Sequence, residues 1–253
     1  MTAPADPEQI SQFIGILPKA PDPLRYDHPP DGPEEAHGSL LKWVPQGASV
    51  LDVGAGTGTF AELVKRERNA DVMCVEPDAP RSERARQKGL AVFTGTIQEF
   101  DASTTRRFDV AVLADVIEHL SYAAPILSSI RTLLKKDGHL IVSVPNAAHW
   151  SIRYALFRGR FNYDVTGLMD ATHLRWYTLD SLKRLITACG YVVDGEAGTL
   201  GATLPAYHHR FPFTAIPMRY RFKMLSRLVR SYPGVFSLQH IIRARPSESP
   251  ANS

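Results

Sequence analysis

The chain has 253 residues, an apolar fraction of 44% and a net charge of +3, which suits one large globular domain or a domain with a small appendage. Two cysteines, Cys74 and Cys189, exclude a disulfide framework and a cysteine-based metal centre, and predict a reducing, cytoplasmic setting. No N-terminal apolar segment reads as a signal peptide, and no stretch approaches the roughly 18 apolar residues of a membrane span.

The charge is uneven. Residues 205–253 hold eight Lys/Arg against Glu248 alone, a surplus of seven that leaves the remainder at about −4 by subtraction. That asymmetry predicts a local anionic contact rather than nucleic-acid binding over the whole surface.

Residues 1–38 carry eight of the 19 prolines and are set apart as a Pro-rich segment ahead of a domain over 39–253. A short helix is expected over 8–17, then extended chain. Leu24–His28 reads either as part of a flexible tail or as a fold over the pocket described below. After a helix end at 38–45, strand and helix alternate. Strands are predicted at 49–53, 71–75, 90–94, 108–113, 139–144, 191–196 and 236–244. Helices are predicted at 59–67, 79–88, from strand four through Leu120, at 126–136 and at 179–189. Short apolar strands joined by helices specify an α/β sheet, mostly parallel and covered on both faces.

The most informative stretch is Val50-Leu51-Asp52-Val53-Gly54-Ala55-Gly56-Thr57-Gly58-Thr59-Phe60. It is a buried strand, a glycine-rich turn and a helix start. Such a turn needs positive φ or room for a ligand against bare backbone, and its amides would face an anionic group. The dinucleotide spacing Gly-x-Gly-x-x-Gly fails, because Thr59 stands where the third glycine belongs.

The run Asp-x-Gly-x-Gly-x-Gly instead resembles the first motif of class I S-adenosylmethionine-dependent methyltransferases. The resemblance implies a seven-stranded Rossmann-like sheet with the last strand antiparallel, and S-adenosylmethionine as cofactor. It also implies that Asp52, Gly54, Ala55, Gly56 and Gly58 cradle the methionine part. Glu76 ends strand two 20 residues after Gly56, near the spacing at which an acid meets ribose hydroxyls. Pro77 follows it, and Asp78 is a weaker candidate. After strand three, relatives often place an acid against the adenine; here Thr96 stands there, with Ile97 as an adenine-packing or plain core residue. Asp115-Val116-Ile117-Glu118-His119 looks like the Asp-x-x-Glu-His segment of small-molecule methyltransferases related to quinone biosynthesis. The resemblance sets Asp115 and Val116 beside the methionine and His119 beside the acceptor. Asp115 also reads as a helix N-cap.

The blocks around Asn146–Trp150, Leu156–Tyr163 and Gly167–Thr178 resemble a bacterial subgroup of the family from polysaccharide, lipid-linked sugar and secondary-metabolite pathways. Acceptor-side insertions are therefore expected at 147–177 and 200–235. A sulfonium methyl needs no metal, so none is expected. A hydroxyl acceptor must lose a proton, which suits a histidine. His119 and His173 are the candidates and His149 a third; Asp170 and Arg175 read alternatively as a structural pair. The expected function is methyl transfer to a small-molecule hydroxyl on a sugar, lipid-linked or secondary-metabolite acceptor. Two alternatives stay open: a binding protein on a degenerate fold, and a nucleic-acid methyltransferase, against which no appended RNA-binding module is found.

Between strands six and seven, Met218, Phe222, Leu225, Val229 and Tyr232 fall on one helical stripe and Arg219, Lys223, Arg227 and Arg230 on another. A basic amphipathic helix over 218–232 reads as a cover for the acceptor site or as a peripheral contact with an anionic membrane. His208-His209 lacks the partners of a metal site.

Overall fold

A computed structural model of the chain describes residues 22–30, 32–201, 207 and 213–248, without the side chains of Met218 and Arg219. The helix expected over 8–17 and the pair His208-His209 lie outside the described residues.

In chain order the elements are α1 (Ala36–Leu41), β1 (Ser49–Val53), α2 (Thr59–Arg68), β2 (Asp71–Glu76), α3 (Ala79–Gln87), β3 (Ala91–Thr94), α4 (Ile97–Ser103) and β4 (Phe108–Ala114). Then follow a 3-10 turn (Ile117–His119), α5 (Ala124–Leu133), β5 (Leu134–Pro145), α6 (Trp150–Phe157), α7 (Leu179–Ala188), β6 (Tyr191–Gly198), α8 (Met218–Ser231), α9 (Pro233–Phe236) and β7 (Gln239–Pro246). The seven strands form one sheet in the order β3-β2-β1-β4-β5-β7-β6. Its first five strands in that order are parallel. β7 runs antiparallel to both β5 and β6. The strand order reverses between β1 and β4, so the carboxyl ends of these strands open a crevice at the switch point.

Alternation along each strand feeds two cores. Leu51, Ala111, Leu113, Leu140 and Val142 pack with Leu127, Ile130, Leu182 and Ile186 on the α5/α7 face. Val50, Val110, Val112 and Ile141 pack with Leu40, Phe60 and Val64 on the α1/α2 face, together with fully buried Cys74. Local chemistry sets the helix starts. Asp78 accepts the Arg81 N–H at 3.0 Å to cap α3, and Thr178 caps α7 in a box with Ser181.

Several boundaries depart from the sequence expectation. The helix expected after β4 is only the 3-10 turn at 117–119, because Asp115 turns the chain through a left-handed φ of 54°. α4 was not anticipated; Thr96 and Glu99 nucleate it with a capping box. β5 begins at Leu134, where the chain pairs with Phe108 through an irregular register. β7 begins at Gln239, because 233–236 closes into the short helix α9. On α8, Leu225 and Val229 are buried, but Phe222 and Tyr232 of the expected stripe are exposed. Arg221 takes the inward position instead, donating to the carbonyls of Tyr207 and Ile216 at 2.8 and 3.0 Å. Among the described residues no helix is long and apolar enough to cross a membrane.

Candidate functional site

The turn after β1 is built as its glycines require. Gly54, Gly56 and Gly58 have φ of 70°, 56° and 78°. A Cβ on Gly54 would stand 2.8 Å from Val116, and one on Gly58 would stand 2.4 Å from Leu90. These two glycines let the turn close against its neighbours. A Cβ on Gly56 would meet nothing within 4 Å, so that face of the turn is open.

The amides of the turn are mostly engaged by the protein. Those of Gly54 and Ala55 donate to the Val75 carbonyl at 2.8 and 3.3 Å, and that of Gly58 to Ala55 at 2.9 Å. The Gly56 N–H donates to Glu76 Oε2 at 2.8 Å. These four groups therefore do not face an anionic ligand, contrary to the sequence expectation.

Glu76 is 3% exposed. Its other oxygen accepts the Asp78 N–H at 3.0 Å, so one carboxylate ties the glycine turn to the start of α3. Pro77 is exposed between them. Beneath the turn, Asp52 is buried and its Oδ2 has no hydrogen-bond partner among the described residues. Burial, and then the charge of Glu76, push the Asp52 carboxyl up to about 7.

The adenine-side expectations fare differently. Thr96 spends its side chain on the α4 cap. Ile97 sits in the protein's own core at 3% exposure, which leaves almost no surface for a ring to stack on. Asp115 does not cap a helix. Its Oδ1 accepts from Ser143 Oγ at 2.9 Å and its Oδ2 from Gln239 at 2.6 Å, binding the ends of β4, β5 and β7 together. Val116 lies against Gly54.

Beyond this crevice the structure brings His119 and His173 together, with ring centroids 4.9 Å apart. His173 stands edge-on to Trp176 at 5.6 Å, and Trp176 meets Phe161 at 5.6 Å. Glu118 projects into the same cluster. One donor atom from each of Glu118, His119 and His173 lies within 4.8 Å of the others, a spacing that would also suit a metal ion. Glu118 is 1% exposed, and neither carboxylate oxygen is hydrogen-bonded to another described residue. Burial, and then the charge of Asp115, push its carboxyl well above the usual range. Burial lowers both imidazoles, His173 to about 4 with His119 adding to the effect.

Asp170, fully buried, anchors this cluster. Its Oδ1 accepts from Thr172 Oγ at 2.7 Å and the Thr172 N–H at 2.8 Å. Its Oδ2 accepts from Tyr26 at 2.5 Å and Arg25 at 3.3 Å. The expected Asp170–Arg175 pair does not form: Arg175 donates to the Ser121 carbonyl at 3.0 and 2.7 Å. His149 is fully buried away from this cluster, bonded to Ser151 and Tyr207 at 2.8 and 3.1 Å, which makes it a structural histidine.

Residues 22–30 lie across the crevice as a strap, one of the two readings of Leu24–His28. Asp27 accepts from Arg84 at 2.6 Å and Lys88 at 2.8 Å, and the Pro23 carbonyl accepts from Arg81 at 2.8 Å. Arg25 and Tyr26 then reach Asp170 on the other side. Sequence reasoning placed Arg25, Tyr26, Glu118 and Thr172 within segments near the site but gave none of them a role of its own. No spacing rule links positions 25 and 170.

A family model described as a methyltransferase domain matches residues 33–195. The chain is 26% identical over 170 residues to the ubiquinone biosynthesis O-methyltransferase of Acinetobacter baylyi, covering 62% of this chain and 69% of that one. It is 31% identical over 153 residues to the enzyme of the same name from Cereibacter sphaeroides, covering 57% and 60%. These matches thus span about three fifths to two thirds of the relatives' lengths. Among solved structures, a SAM-dependent methyltransferase from Archaeoglobus fulgidus aligns with a TM-score of 0.57 at 18% identity, over 84% of this chain and 94% of that one. The 1,6-didemethyltoxoflavin-N1-methyltransferase of Burkholderia thailandensis aligns at 0.52 and 19%, over 85% and 80%. By family and by fold, the chain is a class I S-adenosylmethionine-dependent methyltransferase and belongs to the methyltransferase domain family.

Proposed function

We propose that the protein methylates a hydroxyl oxygen of a small molecule, a sugar, lipid-linked or secondary-metabolite acceptor, with S-adenosylmethionine as donor. The observation that carries this reading is a pair of imidazoles, His119 and His173, 4.9 Å apart in an aromatic recess, with His119 three residues beyond the Val116 that lies against the glycine turn. The names of the ubiquinone-pathway relatives support oxygen as the methylated atom.

The residues fit the cofactor. The open face at Gly56 leaves room for it against Gly54, Ala55 and Gly58. Asp52 carries an unpartnered buried oxygen under the turn, suited to a cationic group above it. Glu76 retains lone pairs for a ribose diol besides its two backbone bonds. Pro77 is the exposed residue left for the adenine end, since Thr96 and Ile97 are engaged within the protein, and Asp115 and Val116 are assigned to the methionine end. When bound, S-adenosylmethionine supplies an electrophilic methyl carbon. The chain's task is then to hold the acceptor oxygen in line with it and to take the acceptor's proton.

Replacing Glu76 by Ala is expected to weaken cofactor affinity by about 100-fold, the worth of two charge-assisted hydrogen bonds at about 1.5 kcal/mol each. Titration calorimetry reads this, with circular dichroism as the fold control; unchanged affinity removes the ribose assignment. His119→Ala and His173→Ala are expected to leave cofactor affinity unchanged while at least one lowers turnover. Dialysis against EDTA is expected to leave turnover unchanged. A loss restored by manganese or zinc would make the histidines ligands and refute their role as bases.

The outer face of α8 suits a peripheral contact with anionic lipid. Phe222 and Tyr232 are about half exposed or more, among exposed Lys223, Arg227 and Arg230. Co-sedimentation with phosphatidylglycerol vesicles, and not with neutral ones, is the expected result. Equal recovery with both refutes the contact.

A further inference from the structure

The geometry points to Asp170 as a positioning residue that, through Thr172, selects His119 as the proton acceptor and fixes its tautomer. This rests on the methyl-transfer reading above and deepens it.

The hydrogen-bond directions decide the matter. Asp170 holds an ionised carboxylate, which only accepts. Burial works against that charge, but hydrogen bonds from Tyr26 and Thr172 and the charge of Arg25 hold the carboxyl below its usual range. The Thr172 hydroxyl therefore gives its single proton to Asp170 Oδ1 at 2.7 Å. Its oxygen is left as an acceptor, and it lies 3.1 Å from His119 Nδ1. The Thr172 carbonyl, also an acceptor, lies 3.2 Å from the same nitrogen. With two acceptors facing it, Nδ1 carries the proton, and Nε2 keeps its lone pair.

Among the described residues His173 has no such connection. Its ring bond runs to the backbone of Leu168, so no carboxylate-linked donor chain stands behind it to balance a positive ring. It serves as a wall beside the base.

With S-adenosylmethionine bound, a bond from the acceptor oxygen to the methyl carbon would form as the S–CH3 bond breaks, the electron pair of that bond staying on sulfur. The acceptor's proton passes to His119 Nε2. Nδ1–H stays on Thr172, and the Asp170 charge behind it stabilises the imidazolium. The groups that set this equilibrium are His173, Glu118, Asp170, Arg25 and, further off, Arg81. Arg25 and Tyr26 belong to the strap, so the charge behind the base is completed only when the strap is in place.

The test uses the full chain with Asp170→Asn, Thr172→Val, Thr172→Ser and Tyr26→Phe. Asp170→Asn and Thr172→Val are expected to lower kcat by about 100-fold, in the range of a misdirected general base. Cofactor affinity should stay unchanged, and the acidic limb of the kcat profile, which reads protonation of the base, should move to lower pH. Thr172→Ser, which keeps the hydroxyl, should restore most of the rate, and Tyr26→Phe should cause a partial loss. Nitrogen-15 NMR reads the tautomer without turnover: His119 should be Nδ1–H in the native protein and a mixture in Thr172→Val. If His119→Ala is inactive while Asp170→Asn and Thr172→Val run at the native rate, the relay is wrong and the base stands. If His119→Ala is fully active, the base reading fails. A native His119 in the Nε2–H form overturns the relay whatever the kinetics show, including where a variant does not fold.

Discussion

Asp52→Asn is expected to alter stability in a pH-dependent way. The Asp52 carboxyl has an ordinary value of 3.8 and stands near 7 in the folded chain, first through burial and then through the nearby charge of Glu76. A raised acid binds its proton more tightly folded than unfolded. Its stability contribution is therefore fully present below pH 3.8 and lost as pH rises towards 7. At about 1.4 kcal/mol per pH unit, the full loss is about 4 kcal/mol. Asparagine cannot ionise and removes this slope. It introduces a buried NH2 group that costs about 1–3 kcal/mol if unpaired, a penalty independent of pH. The difference in unfolding free energy between the two proteins should thus shift in favour of Asp52→Asn by about 2 kcal/mol from pH 5 to pH 7. Urea denaturation of the cofactor-free proteins at pH 5, 6, 7 and 8 measures it. Parallel stability curves would refute the account of Asp52 as a strained, uncompensated acid under the turn. The same variant should bind S-adenosylmethionine more weakly, the mark of a site that trades stability for function.

The glycine turn makes a paired prediction. Gly58→Ala should cost about 2–4 kcal/mol, since it adds left-handed strain to a clash with Leu90. Gly56→Ala should cost only the strain, about 1–2 kcal/mol, yet weaken cofactor binding more, because its Cβ enters the open face. Thermal melts with calorimetry separate the two, and the reverse ranking would show that the cleft lies elsewhere. Glu118→Gln should raise the melting temperature more at pH 8 than at pH 5, because a neutral amide replaces an acid whose raised folded pKa loses stability as pH rises; a pH-independent change would mean that Glu118 is ionised in the folded protein. Asp27→Ala should speed limited proteolysis within 22–30 and raise the KM for the cofactor, since Arg84 and Lys88 lose the carboxylate that anchors the strap. Unchanged cleavage would show that the strap is held by its other contacts.

The sheet was legible because its signals are local. Alternating apolar strands and the Asp-x-Gly-x-Gly-x-Gly turn each act within a few residues. α4 was not legible because it is only seven residues long and buries only Ile97 and Phe100, so its one start signal, Thr96 with Glu99, comes with no helical stripe. The stripe on α8 was misassigned because helical periodicity does not say which face the fold covers. Arg221 points inward there only because the Tyr207 and Ile216 carbonyls await it.

What the amino-acid order determined by itself was the doubly covered sheet, the glycine turn and the two histidines, all products of short-range sterics and hydrophobic alternation. Folding in three dimensions decided how those histidines differ. Thr172 stands behind His119 and a bare backbone group behind His173, and Asp170 draws its partners from residues 25 and 26 rather than from Arg175. Hydrogen bonds reach about 3 Å whatever the separation along the chain, so pairings across 145 residues are set by where the sheet places its loops and not by any local pattern.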